Sequence, residues 1–189
     1  MTDAPKDETT PETPASADAA PATDDIYSKE ELTDLTRALG QVVLGAGMSE
    51  KGGSFGLMRE IVAAMQASAI FVGDSSNPLL KQIVTDADPS AVDDAEKDKD
   101  KDKDNSTESA EKAIEEGIDA ARRTHELLLA KGRTEDADAW AQLLLTAANA
   151  AVQATKTGGF LGIGGEKVTA SEQAYMQRLA DTLGYKKDS

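Results

Sequence analysis

Residues 158–165 read G-G-F-L-G-I-G-G, and the five glycines of this stretch surround Phe160, Leu161 and Ile163. Helix-like sequence flanks the stretch on both sides, so we expect it to connect two helices. A connection this apolar either folds back onto the protein core or contacts another molecule. Phe160, Leu161 and Ile163 are therefore candidates for binding a protein partner.

The composition of the 189-residue chain favours helices and argues against a nucleic-acid partner. Alanine and leucine supply much of the apolar content, whereas aromatic residues make up only 4% of the chain. The formal net charge is −15, while binding to phosphates or to anionic lipid needs a concentrated basic surface. The charge therefore predicts attraction for cations or basic proteins instead.

The residue types present also restrict the chemistry and the location. The chain contains no cysteine, which excludes disulfides, thiolate metal sites and cysteine nucleophiles. Its longest apolar run, near residues 63–72, is interrupted by Gln66 and Ser68 and is too short to span a bilayer. The N-terminus lacks the pattern of a signal peptide. We therefore expect a cytoplasmic protein without an integral membrane segment.

The pattern along the chain predicts one all-α domain over residues 26–186, a single bundle of five or six helices. Residues 1–25 hold seven acidic residues and little to bury, so we expect a disordered acidic tail. Residues 86–107 lose the apolar periodicity and carry an alternating Lys-Asp run, which is typical of a mobile charged loop. Residues 187–189 are a short tail.

Local signals predict where the helices begin and end, and periodicity predicts which faces are buried. The predicted starts are the capping boxes Ser28 with Glu31 and Thr169 with Glu172, and the pair Asn77-Pro78. The predicted ends are Gly45 with Gly47, Gly73, Gly132 and Gly184. The stripe predicted to be buried in the second helix is Met58, Ile61, Val62, Met65 and Ala69. In the fifth helix it is Trp140, Leu143, Leu144, Ala147, Ala148, Ala151 and Val152.

The charged loop contains a pattern that resembles an EF-hand. Oxygen-bearing side chains occupy the calcium-ligand positions of such a loop: Asp100, Asp102, Asp104, Glu108 and Glu111. Asn105, however, stands where EF-hands hold glycine, and the intervening lysines offset the aspartate charge. The loop is therefore either a calcium site or a solvated charged linker.

Enzyme signatures are missing from the sequence. Residues 47–54 have the glycine spacing of a phosphate-binding loop, but Gly53 stands where the loop needs lysine, and no strand precedes it. His125 is the only histidine and lies on the apolar stripe of the fourth helix, so we expect a partly buried structural residue. No G-x-S-x-G nucleophile elbow occurs. We therefore expect neither catalysis nor a cofactor other than calcium; an enzyme with a pocket between helices is the remaining alternative.

The segment G-G-F-L-G-I-G-G-E-K-V-T-A-S-E at residues 158–172 resembles the C-terminal signature of a family of uncharacterised bacterial helical proteins. In that family a G-G-F-L-G-F-G-G segment precedes a V-S-x-x-E helix start, and the helix ends in Leu-Gly, here Leu183-Gly184. A more distant likeness is to the TerB-like helical domains of tellurite-resistance proteins, whose loop carries an Asp-Gly that this chain lacks. The resemblance implies a helical fold and transfers no activity.

The function predicted from the sequence is a non-enzymatic helical interaction or scaffold module. Its partner would be another protein or a second copy of the chain, bound through helix faces or through Phe160, Leu161 and Ile163. The alternative is a protein that binds a divalent cation through residues 100–111.

Overall fold

The protein is all-α in the part of the chain that the computed structural model describes, residues 26–49, 57–86, 106–154 and 168–185. The six helices in this part are α1 (Lys29–Met48), α2 (Leu57–Asp74), α3 (Pro78–Asp86), α4 (Ser106–Ala130), α5 (Thr134–Ala154) and α6 (Ala170–Thr182). The predicted helical bundle is therefore confirmed. The predicted acidic tail, residues 87–105 of the charged loop and the glycine-rich stretch 158–165 lie outside the described residues.

The helices run alternately between two ends of the bundle. α1 and α4 are antiparallel, because Gly45 near the end of α1 lies against Ala113 near the start of α4. At the opposite end Lys131, just after α4, pairs with Glu31 in the first turn of α1. α2 packs mainly against α5, with its first half beside the last turns of α5.

Trp140 on α5 lies at the centre of the hydrophobic core. The whole predicted face of α5 is buried, so that prediction is confirmed. The Trp140 indole Nε1 donates a 3.0 Å hydrogen bond to Thr124 Oγ1 on α4, and Thr124 Oγ1 donates to the Ala120 carbonyl at 2.8 Å. The polar groups of both side chains are thus satisfied inside the core.

The predicted helix starts and several predicted ends are confirmed. Ser28 with Glu31 and Thr169 with Glu172 form complete capping boxes, with side chain and backbone bonded in both directions. Asn77 Oδ1 accepts a 3.2 Å hydrogen bond from the backbone N–H of Leu80 in the first turn of α3. The chain turns after α4 and α6 at glycines with φ of 71° and 82°, a conformation that favours glycine. These glycines are Gly132 and Gly184.

The prediction that Gly45 and Gly47 end the first helix was wrong, because α1 continues to Met48. Gly45 is a packing position instead: a Cβ added there would lie 2.8 Å from Tyr175 Oη on α6 and 3.0 Å from the Ala113 carbonyl oxygen on α4. Three helices therefore meet at a glycine that sequence reasoning treats as a helix breaker. The missing information was the partner helices, which the local sequence does not contain.

Candidate protein-docking face

The outer side of α2 exposes several large apolar side chains. Met58 and Met65 are each 44% exposed, Val62 is 45% exposed and Ile70 is 69% exposed. Four of the six large hydrophobic residues that are exposed within the described residues lie on this one helix. Together with the exposed Ala69 they form what we name the α2 apolar face: Met58, Val62, Met65, Ala69 and Ile70.

The opposite side of α2 faces the core and includes two buried polar residues, Glu60 and Ser68. Glu60, Ala64, Ser68 and Val72 recur every fourth residue and are between 1% and 5% exposed. The predicted buried stripe was therefore wrong for Met58, Val62, Met65 and Ala69, whereas Ile61 does pack partly buried against the core. Because small residues let helix backbones approach closely, Ala64 and Ser68 suit a contact with the alanine-rich α5.

A shallow groove runs beside the α2 apolar face, between the first half of α2 and the last turns of α5. It encloses about 350 Å³. The residues that line it are Arg59, Val62, Ala63 and Gln66 from α2 and Ala150, Gln153 and Ala154 from α5. Apart from Arg59, the described residues that line the groove are uncharged, so this lining suits an apolar group.

The charge of α2 differs from that of the chain as a whole. The chain has a net charge of −15, whereas α2 carries only Arg59, Glu60 and Asp74 along its 18 residues. Glu60 is buried, which leaves one positive and one negative residue near opposite ends of the exposed side. The α2 apolar face is therefore a nearly neutral strip on an acidic protein.

Asp136 lies at the centre of a buried polar cluster. This carboxylate is 3% exposed and its Oδ2 accepts hydrogen bonds from Tyr27 Oη at 2.6 Å and from Arg133 Nε at 2.8 Å. Its Oδ1 accepts a 2.7 Å hydrogen bond from Asn77 Nδ2. The cluster joins the start of α1, the start of α3 and the first turn of α5.

The hydrogen bonds of this cluster keep the Asp136 carboxyl charged and the Tyr27 hydroxyl neutral. Burial alone would raise the pKa of the Asp136 carboxyl, but the hydrogen bonds from Tyr27, Arg133 and Asn77 hold it below the usual aspartate value. Burial and the hydrogen bond to Asp136 raise the pKa of the Tyr27 hydroxyl above its usual value. Both shifts move away from neutral pH, so the bond between the neutral hydroxyl and the charged carboxylate persists over a wide pH range.

Only two of the five predicted calcium ligands lie within the described residues. Asp100, Asp102 and Asp104 lie outside the described residues. Glu108 and Glu111 are exposed near the start of α4. In the four described stretches no group of three or more histidine, cysteine, aspartate or glutamate residues is placed to hold a metal, so the calcium site stays a prediction.

The residues predicted to bind a partner, Phe160, Leu161 and Ile163, also lie outside the described residues. The segment that contains them follows Ala154, the last residue of α5 and one of the residues that line the groove. His125 is half-buried on α4, as predicted. Burial lowers the pKa of its imidazole, an effect opposed by the nearby carboxylates of Asp138 and Glu126.

The sequence pattern did not identify the α2 apolar face as exposed. The side of α2 that packs inward contains Glu60 and Ser68, and a helix that is apolar on nearly all sides has no single stripe that pattern alone can assign to the core.

Among the helices described, none combines the length and the apolar character needed to cross a bilayer. Comparison with known proteins adds no relative: no family model, no curated protein and no solved structure matches the chain.

Proposed function

We propose that the protein is a non-enzymatic helical module that binds a protein partner through the α2 apolar face. The observation that carries the proposal is the concentration of exposed large apolar residues on this one helix. Contiguous exposed apolar surface of this kind marks interaction sites on soluble proteins. The proposal keeps the class of function predicted from the sequence and moves its main contact surface to α2.

The energetics favour covering this surface. Fully burying a Val, Ile or Met side chain stabilises by about 1.5–3 kcal/mol, so half-exposed side chains such as Met58, Val62 and Met65 retain roughly half of that. A partner that covers the α2 apolar face therefore gains several kcal/mol before the entropic cost of association is subtracted.

The shape and charge of the surface indicate the kind of partner. One exposed helix face beside an interhelical groove is the geometry that an amphipathic helix recognises. Since the chain carries a net charge of −15, a partner helix with neutral or basic flanks is favoured and a strongly acidic one is repelled. The cytoplasmic location remains a prediction from the sequence.

Site-specific photo-crosslinking in the cells that naturally make the protein tests the proposal. A photoreactive residue in place of Ile70 on the α2 apolar face should form a covalent adduct with a protein. The matched control is the same residue in place of Glu126, which is exposed on α4. Adding Val62→Lys to the Ile70 probe should remove the adduct, since a charge is then placed in the apolar contact.

Two outcomes would overturn the proposed function. The first is adduct formation from Ile70 no stronger than from Glu126, in a chain whose circular dichroism shows an intact helical fold. The second is an adduct from Ile70 that Val62→Lys leaves unchanged, because the apolar face would then not carry the contact.

A further inference from the structure

We infer that Met58 and Met65 form an oxidation site on the α2 apolar face, where a peroxide converts both side chains to sulfoxides and thereby weakens binding of the protein partner. The inference rests on the proposed function, because it names a modification that regulates that surface. It comes from where the chain carries its oxidisable sulfur atoms and from what a sulfoxide does to an apolar contact.

The sulfur atoms of this chain belong to methionine alone. The sequence contains no cysteine, so no thiol competes with methionine for a mild oxidant. Within the described residues, Met58 and Met65 are nearly half exposed. Met48 and Met176 are less exposed, and Met176 packs against the core. An oxidant dissolved in water therefore reaches Met58 and Met65 more readily than the other two methionines.

Met58 and Met65 lie on the same side of α2. They are seven residues apart, which is almost two helical turns and about 10 Å along the helix axis at a rise of 1.5 Å per residue. Val62 lies between them, four residues after Met58 and three before Met65. Oxidation would therefore place a polar group on each side of Val62, inside the apolar contact that the proposed function requires.

The modification transfers one oxygen atom to each thioether. The sulfur lone pair attacks one oxygen of hydrogen peroxide, the O–O bond breaks and a sulfur–oxygen bond forms. The proton of the attacked hydroxyl passes to the departing hydroxide, which leaves as water. Sulfur is oxidised by two electrons and the peroxide is reduced by two, so each methionine consumes one peroxide and releases one water molecule.

The sulfoxides should weaken binding without unfolding the protein. A methionine sulfoxide is polar, and burying a polar group that gains no hydrogen bond is unfavourable. A partner that covers the α2 apolar face would have to bury two such groups in place of two thioethers. The core, in contrast, is unaffected, because Met58 and Met65 are on the outer side of α2.

Peptide mapping by mass spectrometry tests the oxidation site in the absence of any partner. After hydrogen peroxide is added to the purified full chain, sulfoxide should form at Met58 and Met65 at least about threefold faster than at Met48 and Met176. The four rates should become similar in urea, where the unfolded chain exposes all four side chains. Four similar rates in the folded chain would overturn the inference.

Photo-crosslinking tests the effect on binding. The purified chain with the photoreactive residue in place of Ile70 is oxidised, freed of peroxide and added to a desalted extract of the cells that naturally make the protein. The yield of the protein adduct should fall by at least about fivefold relative to the chain that was not oxidised. The circular dichroism spectrum should stay unchanged, and treatment with methionine sulfoxide reductases should restore the adduct.

Two double variants of the probe-carrying chain assign the effect to particular methionines. The variant with Met58→Leu and Met65→Leu cannot form sulfoxides on α2, so its own adduct yield should be the same with and without peroxide. The variant with Met48→Leu and Met176→Leu is the matched control and should still lose the adduct after oxidation.

The outcomes separate this inference from the proposed function. An adduct that peroxide does not diminish would overturn the inference and uphold the proposed function, as would a loss that persists in the variant with Met58→Leu and Met65→Leu. The absence of an adduct before oxidation would refute the proposed function, and the regulation of binding with it.

Discussion

Tyr27 donates a 2.6 Å hydrogen bond from its hydroxyl to the carboxylate of Asp136, which lies 109 positions later in the chain. This bond links Tyr27, two residues before the start of α1, to the first turn of α5. Asn77 and Arg133 donate to the same carboxylate, so the starts of three helices are held together around one buried negative charge. Because the bond joins residues far apart in the chain, we expect it to stabilise the packing of the bundle.

Replacing Tyr27 by Phe should lower the free energy of unfolding by about 1.5–3 kcal/mol, since a buried carboxylate loses a hydrogen-bond donor. Urea unfolding followed by circular dichroism measures this change. Tyr185→Phe is the matched control, because Tyr185 is 38% exposed, and it should change stability by less than about 0.5 kcal/mol. Equal effects of the two substitutions would contradict a stabilising role for the Tyr27–Asp136 bond.

The stability should also depend on pH through Asp136. Hydrogen bonds hold the folded-state pKa of Asp136 below the ordinary value of 3.8, so on acidification the unfolded chain takes up this proton first. The stabilisation is therefore present above the ordinary pKa and is lost as the pH falls through the lower folded-state pKa. We expect Asp136→Asn to reduce the difference in unfolding free energy between pH 7 and pH 3; an unchanged difference would refute the assignment.

Gly45→Ala should destabilise the protein by roughly 1–3 kcal/mol, because the new methyl group would overlap Tyr175 and Ala113. The clash would also displace Tyr175, whose hydroxyl donates a 2.8 Å hydrogen bond to the Val42 carbonyl. Gly40→Ala on the same helix is the control, since a Cβ there meets nothing within 4 Å. That control should stabilise by about 0.5–1 kcal/mol through helix propensity. Thermal unfolding of both variants distinguishes packing from propensity.

The orientation of α2 is tested by two substitutions on its opposite sides. Ala64 is 1% exposed, so Ala64→Leu should overpack the core and cost about 1–3 kcal/mol. Val62 is 45% exposed, and Val62→Ala should cost less than about 1 kcal/mol. The order of the two effects, measured by urea unfolding, would be reversed if the apolar stripe predicted from the sequence faced the core.

Isothermal titration with calcium tests the predicted site in the charged loop. A site that uses Asp100, Asp102, Asp104, Glu108 and Glu111 predicts binding heat in the unaltered chain and none after Asp100→Ala with Asp102→Ala. Glu126→Ala is the control, because it also removes a carboxylate but lies on α4, outside the charged loop. This variant should show the same binding heat as the unaltered chain. A flat titration of the unaltered chain would leave the solvated linker as the correct interpretation.

Periodicity was reliable where each helix has one clear apolar side. On α5 the predicted residues around Trp140 are the buried ones, and the capping boxes at Ser28 and Thr169 form as expected. It failed on α2, because large apolar residues occur on most sides of that helix and the inward side includes Glu60 and Ser68. The residues of the α2 apolar face themselves fit the spacing of a buried helical stripe. Periodicity alone therefore could not predict that this face is exposed.

By itself, the sequence determined the helical class, the helix starts and the glycine turns at Gly132 and Gly184, because these depend on residues within a few positions of one another. Only the tertiary structure decided the rotation of α2, the close helix contact at Gly45 and the cluster around Asp136. The physical reason is that each of these depends on which partner helix lies within a few ångströms. Which helices become neighbours depends on how well side chains of different sizes pack together, and those side chains come from residues far apart in the chain.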